Sequence, residues 1–126
     1  MYLTQGLNKD CVVISLANYT GRTYEQVMAA VNTIGYTKEY VWKTGTPVFI
    51  IPAVIALLTG KLPRTLRPRK GQTKLNGIAD FHSPSAKNGH CAPVIDGIVY
   101  DTDGSVTSIE EYKLDKGYVL RNFWIC

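Results

Sequence analysis

Residues 11–27 of the chain, CVVISLANYTGRTYEQV, decide how its fold begins. The first nine of these residues are apolar nearly all round, a pattern that predicts a short, buried helix. Thr23-Tyr24-Glu25-Gln26 has the Ser/Thr-x-x-Glu/Gln form of a capping box, which predicts a second helix from Thr23 to about Ile34. The stretch therefore predicts two consecutive helices, and Asp10 or Asn8 could cap the first of them.

The pattern changes from helix to strand further along the chain. Thr46-Pro47 is a plausible entry to a third helix and Gly60 a plausible exit, while Pro52 should kink or delay it. Short strands follow at about 61 to 66, 75 to 81, 90 to 95, 98 to 101 and 117 to 125. Helices first and sheet second predict an α+β fold, with N-terminal helices packed on a mainly antiparallel sheet.

Length and composition indicate one globular domain over residues 1–126. Apolar residues make up 45% of the chain and charged residues 19%, which is unlike the composition of a disordered protein. The longest apolar run, from Val48 to Leu58, contains Pro52 and is much shorter than the roughly 20 residues that span a bilayer. The N-terminus lacks a secretory signal pattern, so we expect a cytoplasmic protein without a membrane span.

Three cysteines, Cys11, Cys91 and Cys126, have no C-x-x-C spacing. This pattern favours reduced thiols over a disulfide framework or a zinc site, and we expect neither a metal nor an organic cofactor. Cys91 should be a buried apolar residue on the face of its strand opposite His90. Cys126 is terminal and carries no motif.

Cys11 has the position of a nucleophile because it opens a helix. The free N–H groups at a helix start carry partial positive charge, which favours the thiolate. Gln5, six residues earlier, could donate an amide N–H to an oxyanion whose second donor is the backbone N–H of Cys11. Asp10 is better explained as a helix cap than as a catalytic acid, since a carboxylate beside the thiol opposes thiolate formation.

A hairpin further along the chain could supply the base. Asp96-Gly97 between two apolar runs predicts a two-residue turn, in which paired residue numbers sum to 193. His90, Asp101 and Asp103 then point to one face, so a carboxylate can orient the imidazole, and Asp101 and Asp103 both remain candidates. Pro93 removes a ladder donor and predicts an edge or a bulge in the first strand. His82 is the rival base, but no strand, turn and carboxylate follow it in register.

These residues resemble the papain-like cysteine peptidases. The resemblance is carried by Gln-x5-Cys with an aspartate before the cysteine, and by a later Gly-His, strand, Asp-Gly, strand, Asp. It spans residues 5 to 30 and 88 to 104, and it is closest to the bacteriocin leader peptidase domains of ABC transporters and to small peptidase-like proteins of bacteria and phages. It implies a papain-like fold with Cys11 as nucleophile, His90 as general base, Asp101 as its orienting residue and Gln5 as oxyanion donor.

Net charge is +4, but the basicity is local. Residues 61–74 hold six basic residues and no acidic one, and the rest of the chain has 8 basic against 10 acidic residues. The segment from Lys61 to Lys74 has no interleaved aromatics and no recognised binding motif, so we do not expect it to bind nucleic acid. It could instead favour acidic substrates or an acidic protein partner.

The function that these features predict is hydrolysis of a peptide or protein substrate by a Cys-His-Asp triad, in the cytoplasm of a bacterium or a phage-infected host. Two alternatives stay open. One is a papain-like binding module that grips a partner protein without turnover, and the other is an acyltransferase with the same thiol chemistry.

Overall fold

The computed structural model describes residues 3–6, 8–69, 72, 74–84 and 89–125. The helices are α1 (Cys11–Thr20), α2 (Tyr24–Ile34), α3 (Lys38–Thr44), α4 (Ile51–Thr59) and α5 (Ile109–Lys116), with a 3-10 turn at Val48–Ile50. The strands are β1 (Arg64–Thr65), β2 (Gly77–His82), β3 (Gly89–Ile95), β4 (Ile98–Tyr100), β5 (Val106–Ser108) and β6 (Val119–Ile125). The chain thus combines helices with one six-stranded sheet in the order β1-β6-β2-β3-β4-β5.

Every described strand pair is antiparallel, which confirms the α+β class. In the parts of the chain that the structure describes, no helix is both long enough and apolar enough to cross a bilayer.

The first two helices form as their local sequence predicts. Val12 through Ala17 are all buried in α1, consistent with its apolar character on every side. The Thr23 hydroxyl accepts a hydrogen bond from Gln26 N at 3.1 Å, and Thr23 N donates to Gln26 Oε1 at 2.9 Å. The capping box at the start of α2 is therefore present.

The sheet has a hydrophobic cluster on each face. The helical face packs α1, α2 and α4 against Ile78, Cys91 and Trp124. The opposite face packs α5, through Ile109 and Tyr112, against sheet residues that include Phe81 and Phe123. Because both faces are covered, the central strand β2 has almost no exposed surface.

Three elements, α3, α5 and β5, were not predicted from the sequence. The expected order of helices first and sheet second is wrong at α5, because this helix follows β5 in the chain. This helix is mostly polar and buries only Ile109 and Tyr112, so its apolar periodicity is weak. The third predicted helix begins later than Thr46-Pro47, at Ile51, and Pro52 lies in its first turn. Strand β1 is also shorter than predicted, because its ladder with β6 covers two residues.

The predicted hairpin turn is confirmed. Asp96 and Gly97 both have positive φ angles, 51° and 78°, as a type I′ turn requires. The register pairs Ile95 with Ile98 and Val94 with Val99, so the numbers sum to 193 as expected.

At Pro93 the expected bulge is wrong, because the ladders of β3 show no register shift, whereas the expected edge is present locally on the side of β3 that faces β4. The ladder between β3 and β4 covers only Val94 and Ile95. A missing N–H at Pro93 on that side therefore breaks no ladder bond.

Candidate active site

Cys11 is the first residue of α1 and lies at an open cleft. The cleft has a volume of about 370 Å³, and its lining includes Gln5, Cys11 and His90. Cys11 is a free, partly buried thiol. The helix start presents its unpaired N–H groups to the same space, which favours negative charge there.

His90 enters the cleft from the beginning of β3. Its Nε2 lies 2.6 Å from Asp101 Oδ1, and its ring stacks at 23° on Tyr118, with ring centroids 6.2 Å apart. Because Nε2 faces the carboxylate, Nδ1 is the ring nitrogen that remains for Cys11. The two nitrogens can then have separate roles, one toward the orienting acid and one toward the thiol.

The surroundings of His90 favour its protonated form. Burial alone lowers the pKa of an imidazole, but the hydrogen bonds and negative charges of Asp101 and Cys11 outweigh burial and raise the pKa of His90 from 6.5 to about 10. The pair therefore suits an imidazolium beside a thiolate.

Asp101 is buried beyond the end of β4 and accepts hydrogen bonds from several donors. Besides His90, Thr102 N donates to Oδ1 at 2.7 Å and the Tyr112 hydroxyl donates to Oδ2 at 2.9 Å. Burial favours the neutral acid, but hydrogen bonds from His90 and Tyr112 outweigh it and hold the pKa of Asp101 below its ordinary value. The carboxylate is thus held charged in one orientation.

Asp103, the other acid that the sequence leaves open, lies outside this network. It accepts hydrogen bonds from Ser105 N at 2.8 Å and the Ser105 hydroxyl at 2.7 Å, and it pairs with Lys116 Nζ at 3.0 Å. Asp103 thereby closes the turn between β4 and β5, and the contact with His90 belongs to Asp101.

Gln5 lies in the same cleft and is held through both its backbone and its side chain. Gln5 N donates to Thr102 O at 2.6 Å, and Gln5 Oε1 accepts from the Thr102 hydroxyl at 2.9 Å. Gln5 Nε2 donates one hydrogen to Asn8 O at 2.7 Å. Since an amide nitrogen carries two hydrogens, a second one remains for an oxyanion in the cleft.

Thr102 and Tyr112 are site residues that the sequence does not reveal. The Thr102 hydroxyl lies 3.3 Å from His90 Nε2 and donates to Gln5 Oε1, so it links Gln5 to His90. In the sequence, Thr102 is marked as a site residue only by its position next to Asp101, which is a weak signal. Tyr112 comes from α5, a helix with no motif, and burial and Asp101 raise the pKa of its hydroxyl well above the ordinary range.

Asp10 has a different role from the cap expected for it. It occupies the N-cap position of α1, but its side chain makes no capping hydrogen bond. The carboxylate instead accepts from the Tyr24 hydroxyl at 2.6 Å, which in turn accepts from Trp42 Nε1 at 2.8 Å. Burial and Asp10 raise the pKa of Tyr24 to about 12. Asp10 therefore ties the start of α1 to α2 and α3.

The remaining candidates from the sequence are His82, Cys91 and Cys126. His82 ends β2 and does not line the cleft. Cys91 lines the cleft but is buried in the cluster under the helices, and burial raises the pKa of its thiol. Cys126 lies outside the described residues. Among the residues that the structure describes, no group of His, Cys, Asp and Glu side chains could hold a metal ion.

The far wall of the cleft carries a buried acid and its partners. Asp80 is 1% exposed and accepts from Arg121 Nε at 2.9 Å and from Asn122 Nδ2 at 3.0 Å. Asp80 and Arg121 both line the cleft. The cleft therefore presents a guanidinium held in place by a buried carboxylate.

No family model, no curated protein and no solved structure matches this chain. Its function is therefore argued from its own residues.

Proposed function

We propose that the chain is a cysteine hydrolase with a papain-like fold that cleaves a peptide or protein substrate. The observation that carries the proposal is the 2.6 Å contact between His90 Nε2 and Asp101 Oδ1, because it leaves Nδ1 for Cys11 at the start of α1. A nucleophile, a base and an orienting acid in this order are the parts of nucleophilic acyl transfer.

The mechanism follows from these positions. His90 holds the proton of Cys11, and the thiolate attacks the carbonyl carbon of a substrate amide to form a C–S bond. The C–N bond then breaks, and the leaving amine takes the proton from His90. His90 next removes a proton from water, whose oxygen attacks the thioester carbon. The C–S bond then breaks, which releases the carboxylic acid product and restores the Cys11 thiolate beside protonated His90.

Negative charge develops on the carbonyl oxygen during both attacks. The backbone N–H of Cys11 and the second amide hydrogen of Gln5 are the donors proposed for it. Loss of one such donor typically lowers kcat by about 10²- to 10³-fold. Thr102 and Asn8 restrain the Gln5 amide, so its donor is positioned before the substrate arrives.

The arrangement of the site supports the papain-like fold. The proposed nucleophile lies on a helix, and this helix packs against an antiparallel sheet that carries the proposed base and acid. Transfer of the acyl group to an amine instead of water would use the same residues. A free thiol is best maintained in a reducing compartment, such as the cytoplasm of a bacterium or a phage-infected host.

Selective alkylation tests the proposed thiolate. In a Cys126→Ser background, iodoacetamide at neutral pH should label Cys11 much faster than Cys91, and His90→Gln should slow labelling of Cys11 by about tenfold or more. Mass spectrometry of the digested protein measures both rates. Labelling of the His90→Gln variant at the unchanged rate would contradict the proposed pair.

Turnover needs a separate measurement. The wild-type protein should generate new N-termini in a proteome-derived peptide library, and Cys11→Ala should generate none. His82→Gln is the matched control, because it removes the other imidazole, which does not line the cleft, and should leave cleavage unchanged. Cleavage by Cys11→Ala at the wild-type rate would refute the mechanism.

A further inference from the structure

A second and larger concave region lies along the outer edge of β6. It is a groove of about 1030 Å³, compared with about 370 Å³ for the cleft. Residues 65–68 form one wall, Glu110, Lys113 and Leu114 of α5 form the other, and residues 118–123 form the floor. Arg121 lines both the groove and the cleft.

The main chain of β6 is open along this groove. β1 pairs with β6 only at Trp124 and Ile125, and one further hydrogen bond joins Leu66 N to Phe123 O at 3.0 Å. Within the described ranges, the backbone of residues 119–122 makes ladder bonds to β2 and to no other segment. An open strand edge of this kind can pair with another extended chain.

Apolar side chains are exposed beside the open edge. Leu114 is 82% exposed and Val119 is 49% exposed, and both line the groove. Leu66 and Leu120, which are partly buried against the core, lie in the same lining. Exposed apolar surface with a polar rim is typical of an interaction site.

The charge of the groove selects the kind of partner. Its lining holds three basic residues, Arg67, Lys113 and Arg121, against one acidic residue, Glu110. Glu110 pairs with Lys113 at 3.6 Å and Arg121 pairs with the buried Asp80 at 2.9 Å. Arg67 is exposed and has no acidic partner among the described ion pairs, so it is the basic residue left for a partner. The basic segment noted in the sequence therefore contributes to this groove, and carboxylates on a partner would complement it.

We propose that the open edge of β6 binds an extended, acidic segment of a partner protein, which adds to the sheet as a further strand. Main-chain hydrogen bonds to residues 119–122 would supply affinity, and alternate side chains would contact the basic rim and Leu114. A nucleic acid offers negative charge but no alternating N–H and C=O groups for a strand edge. This binding does not depend on the proposed hydrolase activity.

Peptide binding tests the proposal with four fluorescent probes. These are a decapeptide alternating valine and glutamate, the same peptide with lysine for glutamate, the glutamate peptide with proline at its central valines, and the oligonucleotide dT10. Fluorescence anisotropy should show the first probe binding at least about tenfold more tightly than the other three. Hydrogen exchange should slow at the amides of residues 119–122 when that peptide binds.

Two charge reversals locate the binding site. Arg67→Glu should weaken binding of the valine–glutamate peptide by about tenfold, because it puts a negative charge on the groove wall. Lys61→Glu makes the same change within the basic segment but outside the groove lining, and it should leave binding unchanged. Circular dichroism checks that both exposed substitutions leave the fold intact.

Several results would overturn the proposal. Equal binding of the proline peptide would exclude strand addition, and equal binding of dT10 would indicate a general polyanion surface. Equal weakening by Arg67→Glu and Lys61→Glu would also refute it, as would no detectable binding of the valine–glutamate peptide.

Discussion

Asp101 organises the candidate site at the scale of single residues. Its carboxylate contacts His90, Thr102 and Tyr112, so one buried acid orients the imidazole and is itself held from two other directions. Thr102 extends the network to Gln5 through its hydroxyl. Because each partner is restrained by another, the loss of one contact should disturb the positions of several groups.

The pKa of His90 should depend on the thiol beside it. We expect a pKa of about 10 in the wild-type protein, measured by NMR titration of the imidazole signals. Cys11→Ser removes the proposed thiolate and its hydrogen bond, and it should lower the pKa of His90 toward its ordinary value of 6.5.

Two further variants complete that titration. His82→Gln assigns the signals, since the chain has two histidines. Thr33→Ala is the control and should leave the pKa of His90 unchanged, because Thr33 is exposed on α2 and does not line the cleft. A His90 pKa that is the same in the wild-type and Cys11→Ser proteins would show that the thiol and the ring do not interact.

At the scale of elements, the site depends on where α1 begins and on what holds it. Lys9 N donates to Trp42 O at 3.0 Å, and Asp10 accepts from Tyr24, so the residues before Cys11 are attached to α2 and α3. α5 has a corresponding role on the other face of the sheet, since it supplies Tyr112 to Asp101. Helices on both faces therefore hold the two halves of the site.

The capping box should contribute measurably to stability. Thr23→Ala removes the acceptor for Gln26 N at the start of α2, and we expect it to lower the free energy of unfolding by about 1 kcal/mol. Urea denaturation measures the change.

Thr33→Ala is the matched control, because it makes the same substitution at an exposed position of the same helix. Its effect should stay within about 0.5 kcal/mol. Equal destabilisation by the two variants would argue against a specific capping contribution.

At the scale of the whole molecule, one sheet separates two hydrophobic clusters. The cluster under α1, α2 and α4 contains Trp124 and is packed by Trp42, and the cluster on the other face contains Ile109 and Tyr112. The strands between them belong to both clusters. The sequence predicts a single domain over residues 1–126, and we expect strands that serve both clusters to make the two clusters unfold together.

A core substitution on one face should destabilise both faces together. Ile109→Ala should lower the free energy of unfolding by about 2–5 kcal/mol, because it leaves a cavity beneath α5. Tryptophan fluorescence in urea reports the opposite cluster. The free energy of unfolding obtained from it should fall by the same amount as the free energy of opening that hydrogen exchange measures in α5.

The control for this core substitution is Leu114→Ala in the same helix, where the leucine is 82% exposed and should matter little for stability. A fluorescence midpoint that Ile109→Ala does not change would show that the two clusters unfold separately.

The sequence by itself determined the features that depend on neighbouring residues. The capping box at Thr23, the turn at Asp96-Gly97 and the resulting hairpin register follow from rules that act within a few residues. That register was enough to predict that His90 lies close to Asp101 or Asp103, and the resemblance to papain-like peptidases favoured Asp101. Weakly patterned elements such as α5 were missed, because a helix with two buried residues has little apolar periodicity.

Only the tertiary structure decided the contacts between distant parts of the chain. Thr102 meets Gln5 across 97 residues, and Tyr112 reaches Asp101 from a helix that no motif marks. The role of Asp10 and the open edge of β6 likewise depend on which segments pack beside them. Such contacts are set by packing of the whole chain, where many weak apolar interactions choose among arrangements that are locally equivalent.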